Sequence, residues 1–126
     1  MVIDTSIFIE HLRAKDKSKT KLYSIRDYTP KFTTSVTIYE LFVGAGTSVH
    51  SEDIKLVLSG IDILPFDEQT AIKAAAIFRD LKKENQLIEF RDIFISAICI
   101  TNSLPILTLN KKHFSRIEGL SIALAT

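Results

Sequence analysis

Three acidic residues stand where an acid is conspicuous. Asp4 directly follows the apolar pair Val2-Ile3, Glu40 sits inside the apolar run from Val36 to Ala45, and Asp92 precedes Ile93-Phe94-Ile95. Carboxylates so placed cap a helix, pair with Arg or Lys, or gather around a divalent cation. Asp4 precedes a helical pattern and could simply cap it. Glu40 must be protonated, paired or cation-bound, because burying a bare carboxylate is very costly. Asp92 lies in the first turn of an apolar helix, where the dipole favours negative charge, so capping competes as its explanation. Brought to one point, the three would form an oxygen-rich site for Mg2+ or Mn2+. That chemistry suits phosphodiester hydrolysis: the cation polarises the phosphate, acidifies an attacking water and offsets charge on the leaving oxygen. No other catalytic set competes. There is no Gly-rich phosphate loop and no Ser/His/Asp pattern, and His11, His50 and His113 lack metal-ligand spacing.

Elements that could bring those acids together are legible in the hydrophobic pattern. Val2-Ile3 reads as a short strand buried on both faces, and open α/β sheets bind ligands beyond the carboxyl ends of such strands. Ile7, Phe8 and Leu12 predict a helix from about Ser6 to Ala14, then a loop rich in lysine (Lys15, Lys17, Lys19, with Lys21 beyond) that either meets phosphates or is merely solvated. A second helix turns Leu22, Ile25 and Tyr28 inward until Pro30 stops it. A strand over 31–35 leads into the Glu40 helix, capped by Ser35, with Val36, Tyr39 and Val43 on one face and Gly44 and Gly46 as its stop. Next come a helix from Ser51 to Gly60, a strand over 61–66 placed at an edge by Pro65, and a long helix opened by Asp67. In that helix Ala71, Ala74, Ala75, Phe78 and Leu81 form the inner stripe. The Asp92 helix runs to about Asn102, with Glu89 an accessory acid or a partner for Arg91. Strands over 105–108 and 121–124 finish the chain.

Helix-containing connections favour parallel strands, so the expected fold class is an α/β three-layer sandwich. Its central, mainly parallel sheet would have about five strands flanked by helices. A length of 126 residues fits one domain, 1–126, with no repeat or linker to divide it. The net charge of +1 restricts any nucleic-acid surface to a local patch. The single cysteine, Cys99, between two isoleucines, reads as a buried small hydrophobe and fits a reducing compartment. No apolar run reaches the roughly 20 residues of a membrane span and no signal peptide is visible, so a soluble, cytoplasmic protein is expected.

The same residues resemble a known family, the PIN-domain ribonucleases, and within it the VapC-type toxins of toxin–antitoxin pairs. The likeness is carried by Val2-Ile3-Asp4-Thr5-Ser6, by Thr37-Ile38-Tyr39-Glu40-Leu41 with Gly44-Ala45, and by Asp92-Ile93-Phe94-Ile95-Ser96-Ala97. It continues through Leu107-Thr108-Leu109-Asn110-Lys111-Lys112-His113-Phe114 and Ile117-Glu118-Gly119-Leu120. The resemblance implies a metal-dependent endoribonuclease with Asp4, Glu40 and Asp92 as the acidic metal site. Thr5 or Ser6 would orient ligands, and Thr108 would contact water on the metal. It also implies a homodimer and a cognate antitoxin that inserts a segment into the active-site groove. Where many members carry a fourth acid, this chain offers Asn110 and His113, which argues against a second tightly held cation. The alternative is a catalytically weakened PIN-like module that binds RNA or protein. Phosphatases of the haloacid dehalogenase type need a second acid where Ser6 stands, and receiver domains want paired acids near the first strand; both fail.

Overall fold

The structure, a computed structural model, describes residues 1–124. In chain order the elements are β1 (Val2–Ile3), α1 (Thr5–Arg13), a 3-10 turn (Lys17–Lys19), α2 (Lys21–Ser24), β2 (Phe32–Thr34), α3 (Ser35–Val43) and α4 (Ser48–Leu58). They continue as β3 (Asp62–Leu64), α5 (Glu68–Lys83), α6 (Phe90–Thr101), β4 (Ile106–Leu107) and α7 (Lys111–Phe114). The sheet order is β3-β2-β1-β4, with every pairing parallel. Successive side chains on a strand point to opposite faces, and the packing follows that alternation. Val2 and its partner Ile106 enter a core with Ala74, Ile77 and Leu81 of α5 and the buried face of α6. Ile3 and its partner Leu107 enter another with Ile7, Phe8, Ile25, Leu41 and Ile54. Helices therefore cover both faces of the sheet, as the sandwich requires.

The sheet has four strands rather than about five. Over 121–124 there is one parallel bridge, Ile122 to Ile106, with the Ala123 N–H donating to the Ile106 carbonyl at 2.7 Å. β4 is itself two residues long, so it offers little ladder to extend. Pro65 does follow an edge strand, β3.

Helix starts differ from the sequence reading because adjacent hydroxyl residues compete for the cap. Thr34, not Ser35, caps α3 by accepting from the Thr37 N–H at 3.0 Å, and Ser35 Oγ instead accepts from Phe66 N–H at 3.2 Å. Thr47, not Ser51, caps α4. α2 ends at Ser24, and a turn from Arg26 to Thr29 leaves Tyr28 exposed rather than inward. On α3, Tyr39 and Val43 are exposed, so its apolar surface is not all core. In the lysine loop, Lys17 Nζ donates to the carbonyls of His11 and Leu12 at 2.6 and 2.8 Å, closing the last turn of α1. Lys19 lies 4.0 Å from Asp16 in an exposed pair. Cys99 is buried, and that burial pushes its thiol up to about 12.

α5 buries Thr70, Ala74, Ile77 and Leu81, a stripe centred on the large β-branched Ile77. The expected Ala71, Ala75 and Phe78 lie one residue further on and so face about 100° away, toward solvent. Leu81→Ala should therefore cost about 3 kcal/mol. Phe78→Ala, at a side chain 42% exposed against 3% for Leu81, should cost about 0.5 kcal/mol or less. Urea unfolding of the two variants checks which face packs; equal losses would mean that α5 is turned the other way.

Candidate active site

Asp4 follows β1 at the carboxyl end of the sheet and is only 2% exposed. Its backbone N–H donates to the Leu107 carbonyl at 2.9 Å, which ties the residue to β4. Its carboxylate makes no capping bond to α1, so capping does not account for it. Oδ2 instead accepts from the Ser6 and Thr108 hydroxyls at 2.8 and 2.7 Å. Both hydroxyls are themselves fixed: Ser6 Oγ accepts from Leu109 N–H at 3.0 Å and Thr108 Oγ1 from Asn110 N–H at 2.9 Å. Asp4 Oδ1 receives no hydrogen bond among the described residues.

Glu40 reaches the same region from α3. Its Oε1 accepts from Thr5 Oγ1 at 2.8 Å. Its Oε2 lies 4.0 Å from Arg91 Nε, the outer limit of an ion pair, because that nitrogen is 3.0 Å from Glu89 Oε1. Glu89 also caps α6 by accepting from Arg91 N–H at 2.9 Å, so it serves Arg91 and the helix start. Burial raises the pKa of Glu40, Thr5 and Arg91 pull it back, and the nearby Asp4 and Glu89 charges raise it again. The salt-bridge explanation for Glu40 thus holds only in part.

Asp92 projects from the first turn of α6 with its side chain 17% exposed. Its pKa is pushed up to about 6, first by burial and then by the charges of Asp4, Glu40 and Glu89. His113 opposes that rise, its Nδ1 being 3.7 Å from Asp92 Oδ2. The acids from three distant stretches therefore share one electrostatic neighbourhood. They do not form a ready-made cage: no group of three or more His, Cys, Asp or Glu side chains among the described residues is gathered for an ion. A cation that keeps most of its waters needs only one or two carboxylates. The donors here, carboxylates and hydroxyls, suit such a hard cation and not a thiolate-seeking one. Asp4 Oδ1, without a hydrogen bond among the described residues, is an oxygen that such a cation could take.

Asn110 enters through its backbone N–H; its exposed side chain makes no hydrogen bond among the described residues. Two threonines, Thr34 and Thr37, were not singled out as site residues in the sequence. Thr37 Oγ1 lies 3.0 Å from Thr5 Oγ1 and 3.2 Å from Thr34 Oγ1, all buried. Their signal was present as a run of hydroxyls, Thr33-Thr34-Ser35 and Thr37, but hydroxyls are common in strands and caps alike.

The geometry has relatives. Residues 1–120 match the family described as PIN domain. Ribonuclease VapC1 of Rickettsia felis is 35% identical over 130 residues, covering 97% of this chain and 93% of that protein. A chain in the crystal structure of VapBC2 from Rickettsia felis, bound to a DNA fragment from their promoter, superimposes with a TM-score of 0.84 at 19% identity. It covers 97% of this chain and 96% of that one, and shows a shared fold. A chain of VapBC-5 from Mycobacterium tuberculosis, described as a member of the VapBC family of toxin–antitoxin systems, matches at 26% identity and a TM-score of 0.70, covering 98% and 97%.

The raised carboxyl of Asp92 has a consequence for stability. Between its ordinary value of 3.8 and about 6 the folded protein holds more protons than the unfolded chain, so stability falls as pH rises through that window. Asp92→Asn removes the charge and should raise the melting temperature at pH 7.5 in chelator by about 3 °C, the effect of roughly 1 kcal/mol after allowing for solvent screening. The gain should vanish toward pH 4. A loss of melting temperature in the variant at pH 7.5 would contradict the charge crowding.

Proposed function

The chain belongs to the PIN-domain family, and on that premise we infer that it is an endoribonuclease, hydrolysing RNA phosphodiester bonds as the toxin of a toxin–antitoxin pair. The observation that carries this reading is the meeting of Asp4, Glu40 and Asp92 beside the carboxyl ends of β1 and β4. Among the described residues, their one cationic side-chain neighbour at ion-pair range, besides the titratable His113, is Arg91, shared with Glu89. We assign the metal site and the catalysis to these three acids. When bound, Mg2+ or Mn2+ supplies positive charge to the phosphate and lowers the pKa of a water.

The residues of the chain divide the remaining work. Thr108 and Ser6 hold Asp4 through Oδ2, leaving Oδ1 for the ion. Thr5 holds Glu40 through Oε1, leaving Oε2 to bind or to accept a proton from water. Asp92 adds the third carboxylate from the start of α6, and the proton it retains up to about pH 6 competes with the cation. Asn110, exposed two residues after Thr108, adds a neutral group where it can meet substrate, so one cation is assigned rather than two.

Three partners follow. RNA meets the exposed lysines of α7, Lys111 and Lys112, near the site. A cognate antitoxin is assigned to a cleft of about 230 Å³ between α1, α3 and α4, where Leu12, Leu41 and Ile54 give apolar walls and Arg13, Glu40 and Asp53 charged ones. A second copy of the chain suits the exposed Tyr39 and Val43 of α3. No described helix is long and apolar enough to cross a membrane; the cytoplasmic location is proposed from the kinship with the VapC ribonucleases.

Wild-type protein should cleave RNA with Mg2+ or Mn2+ and stop on chelation. Asp4→Asn and Asp92→Asn should stay folded and lose cleavage on the order of a hundredfold or more, since altering even a group that supports a ligand costs tenfold to a hundredfold. Full activity in either variant removes that residue from the site. RNA binding without cleavage under either metal would favour the weakened-module reading, for which the neutral Asn110 speaks.

A further inference from the structure

We propose that Thr37 and Thr34 are positioning residues for Glu40, acting through a buried file of hydroxyls that ends on its carboxylate; the inference rests on the metal-site reading above. Four contacts define the file. The Thr37 N–H donates to Thr34 Oγ1 at 3.0 Å, and Thr34 Oγ1 donates to Thr37 Oγ1 at 3.2 Å. Thr37 Oγ1 lies 3.0 Å from Thr5 Oγ1, which in turn donates to Glu40 Oε1 at 2.8 Å. A hydroxyl has one proton. The Thr5 hydroxyl is placed to donate to Thr37 Oγ1 or to Glu40 Oε1. Its single proton goes to the ionised carboxylate, the shorter contact and the stronger acceptor, while Thr37 Oγ1, which accepts from Thr34, packs against the Thr5 oxygen and fixes its place.

Both ends of the file are directional. A backbone N–H can only donate, and an ionised carboxylate can only accept. The buried Thr34 proton has Thr37 Oγ1 as its acceptor, and removing that oxygen would leave it without one among the described residues. Such an unmade bond is costly, because the group has already lost its water. The file thus holds Oε1 in one place and leaves Oε2 toward Arg91 and the cleft. Thr33 is an internal contrast: it is equally buried, but its hydroxyl donates to the Ile3 carbonyl at 2.7 Å and lies outside the file.

The test is Mn2+ affinity, measured by electron paramagnetic resonance on the full chain, with RNA cleavage beside it. Thr37→Val keeps the shape and removes the hydroxyl; it should weaken Mn2+ binding about tenfold, in the range set by groups that support a ligand. It should also lower kcat while leaving KM for RNA unchanged. Thr37→Ser restores the hydroxyl and should recover most of the affinity. Thr33→Val should lower the melting temperature without moving the Mn2+ affinity. In the unmutated protein, the Thr37 hydroxyl proton should be protected from exchange in NMR spectra and shift on adding Mg2+, with that of Thr33 unmoved. Wild-type affinity in Thr37→Val, an equal loss in Thr33→Val, or a Thr37 proton that ignores Mg2+ would each overturn the proposal. A wild-type chain that binds no Mn2+ would instead overturn the metal site itself, a result separable from these.

Discussion

Acidic side chains collected in a half-buried cleft repel one another, and the rest of the molecule is arranged around tolerating that repulsion. Burial and like charge both act against ionisation at Asp92 and Glu40. The counterweights are small and local: hydroxyls from Ser6 and Thr108 on one oxygen of Asp4, a hydroxyl from Thr5 on one oxygen of Glu40, and an arginine shared with Glu89. None of these neutralises the cluster. The charge that remains is of the kind a cation would offset.

The three acids come from well-separated parts of the chain, and the parallel sheet makes them meet. β1 ends at Asp4, the helix after β2 carries Glu40, and the helix before β4 carries Asp92. Because β1 lies between β2 and β4, all three arrive near the end of the same central strand. The scaffold itself is held apart from this conflict. The apolar cores on the two faces contain no acid, and α6 buries Ile93, Ile95, Ala97, Ile98 and Cys99 behind the one aspartate it presents.

Much of this arrangement was legible in the residue order. A two-residue apolar strand followed by an acid, and a glutamate inside an apolar helix, are anomalies with few physical resolutions, and motif resemblance narrowed them to one family. Less legible were choices between near-equivalent neighbours. Thr34 and Ser35 are both good caps, and only the path of the backbone decides that Thr34 does it while Ser35 reaches Phe66. On α5 the inward reading of Ala74 and Leu81 held, but Ala71, Ala75 and Phe78 were placed inside where Thr70 and Ile77 are, because alanine sits comfortably on either face. The segment at Ile122 has strand-forming residues, but β4 is too short to pair with more of it. Side-chain hydroxyl order, on which Glu40 depends, leaves no periodic trace at all.

β1 lies inside the sheet, between β2 and β4, and its two flanks come from very different distances along the chain. β2 follows within some thirty residues, as the Thr33 bond to Ile3 shows, but Thr108 closes on Asp4 across a separation of 104. Such distant pairings are late and slow events in folding. A nascent chain that has not yet released β4 lacks one flank of its central strand and the hydroxyl that fixes Asp4. A chain folded only as far as α6 would hold all three acids without the hydroxyl that fixes Asp4, so the order of the cleft depends on β4 being in place.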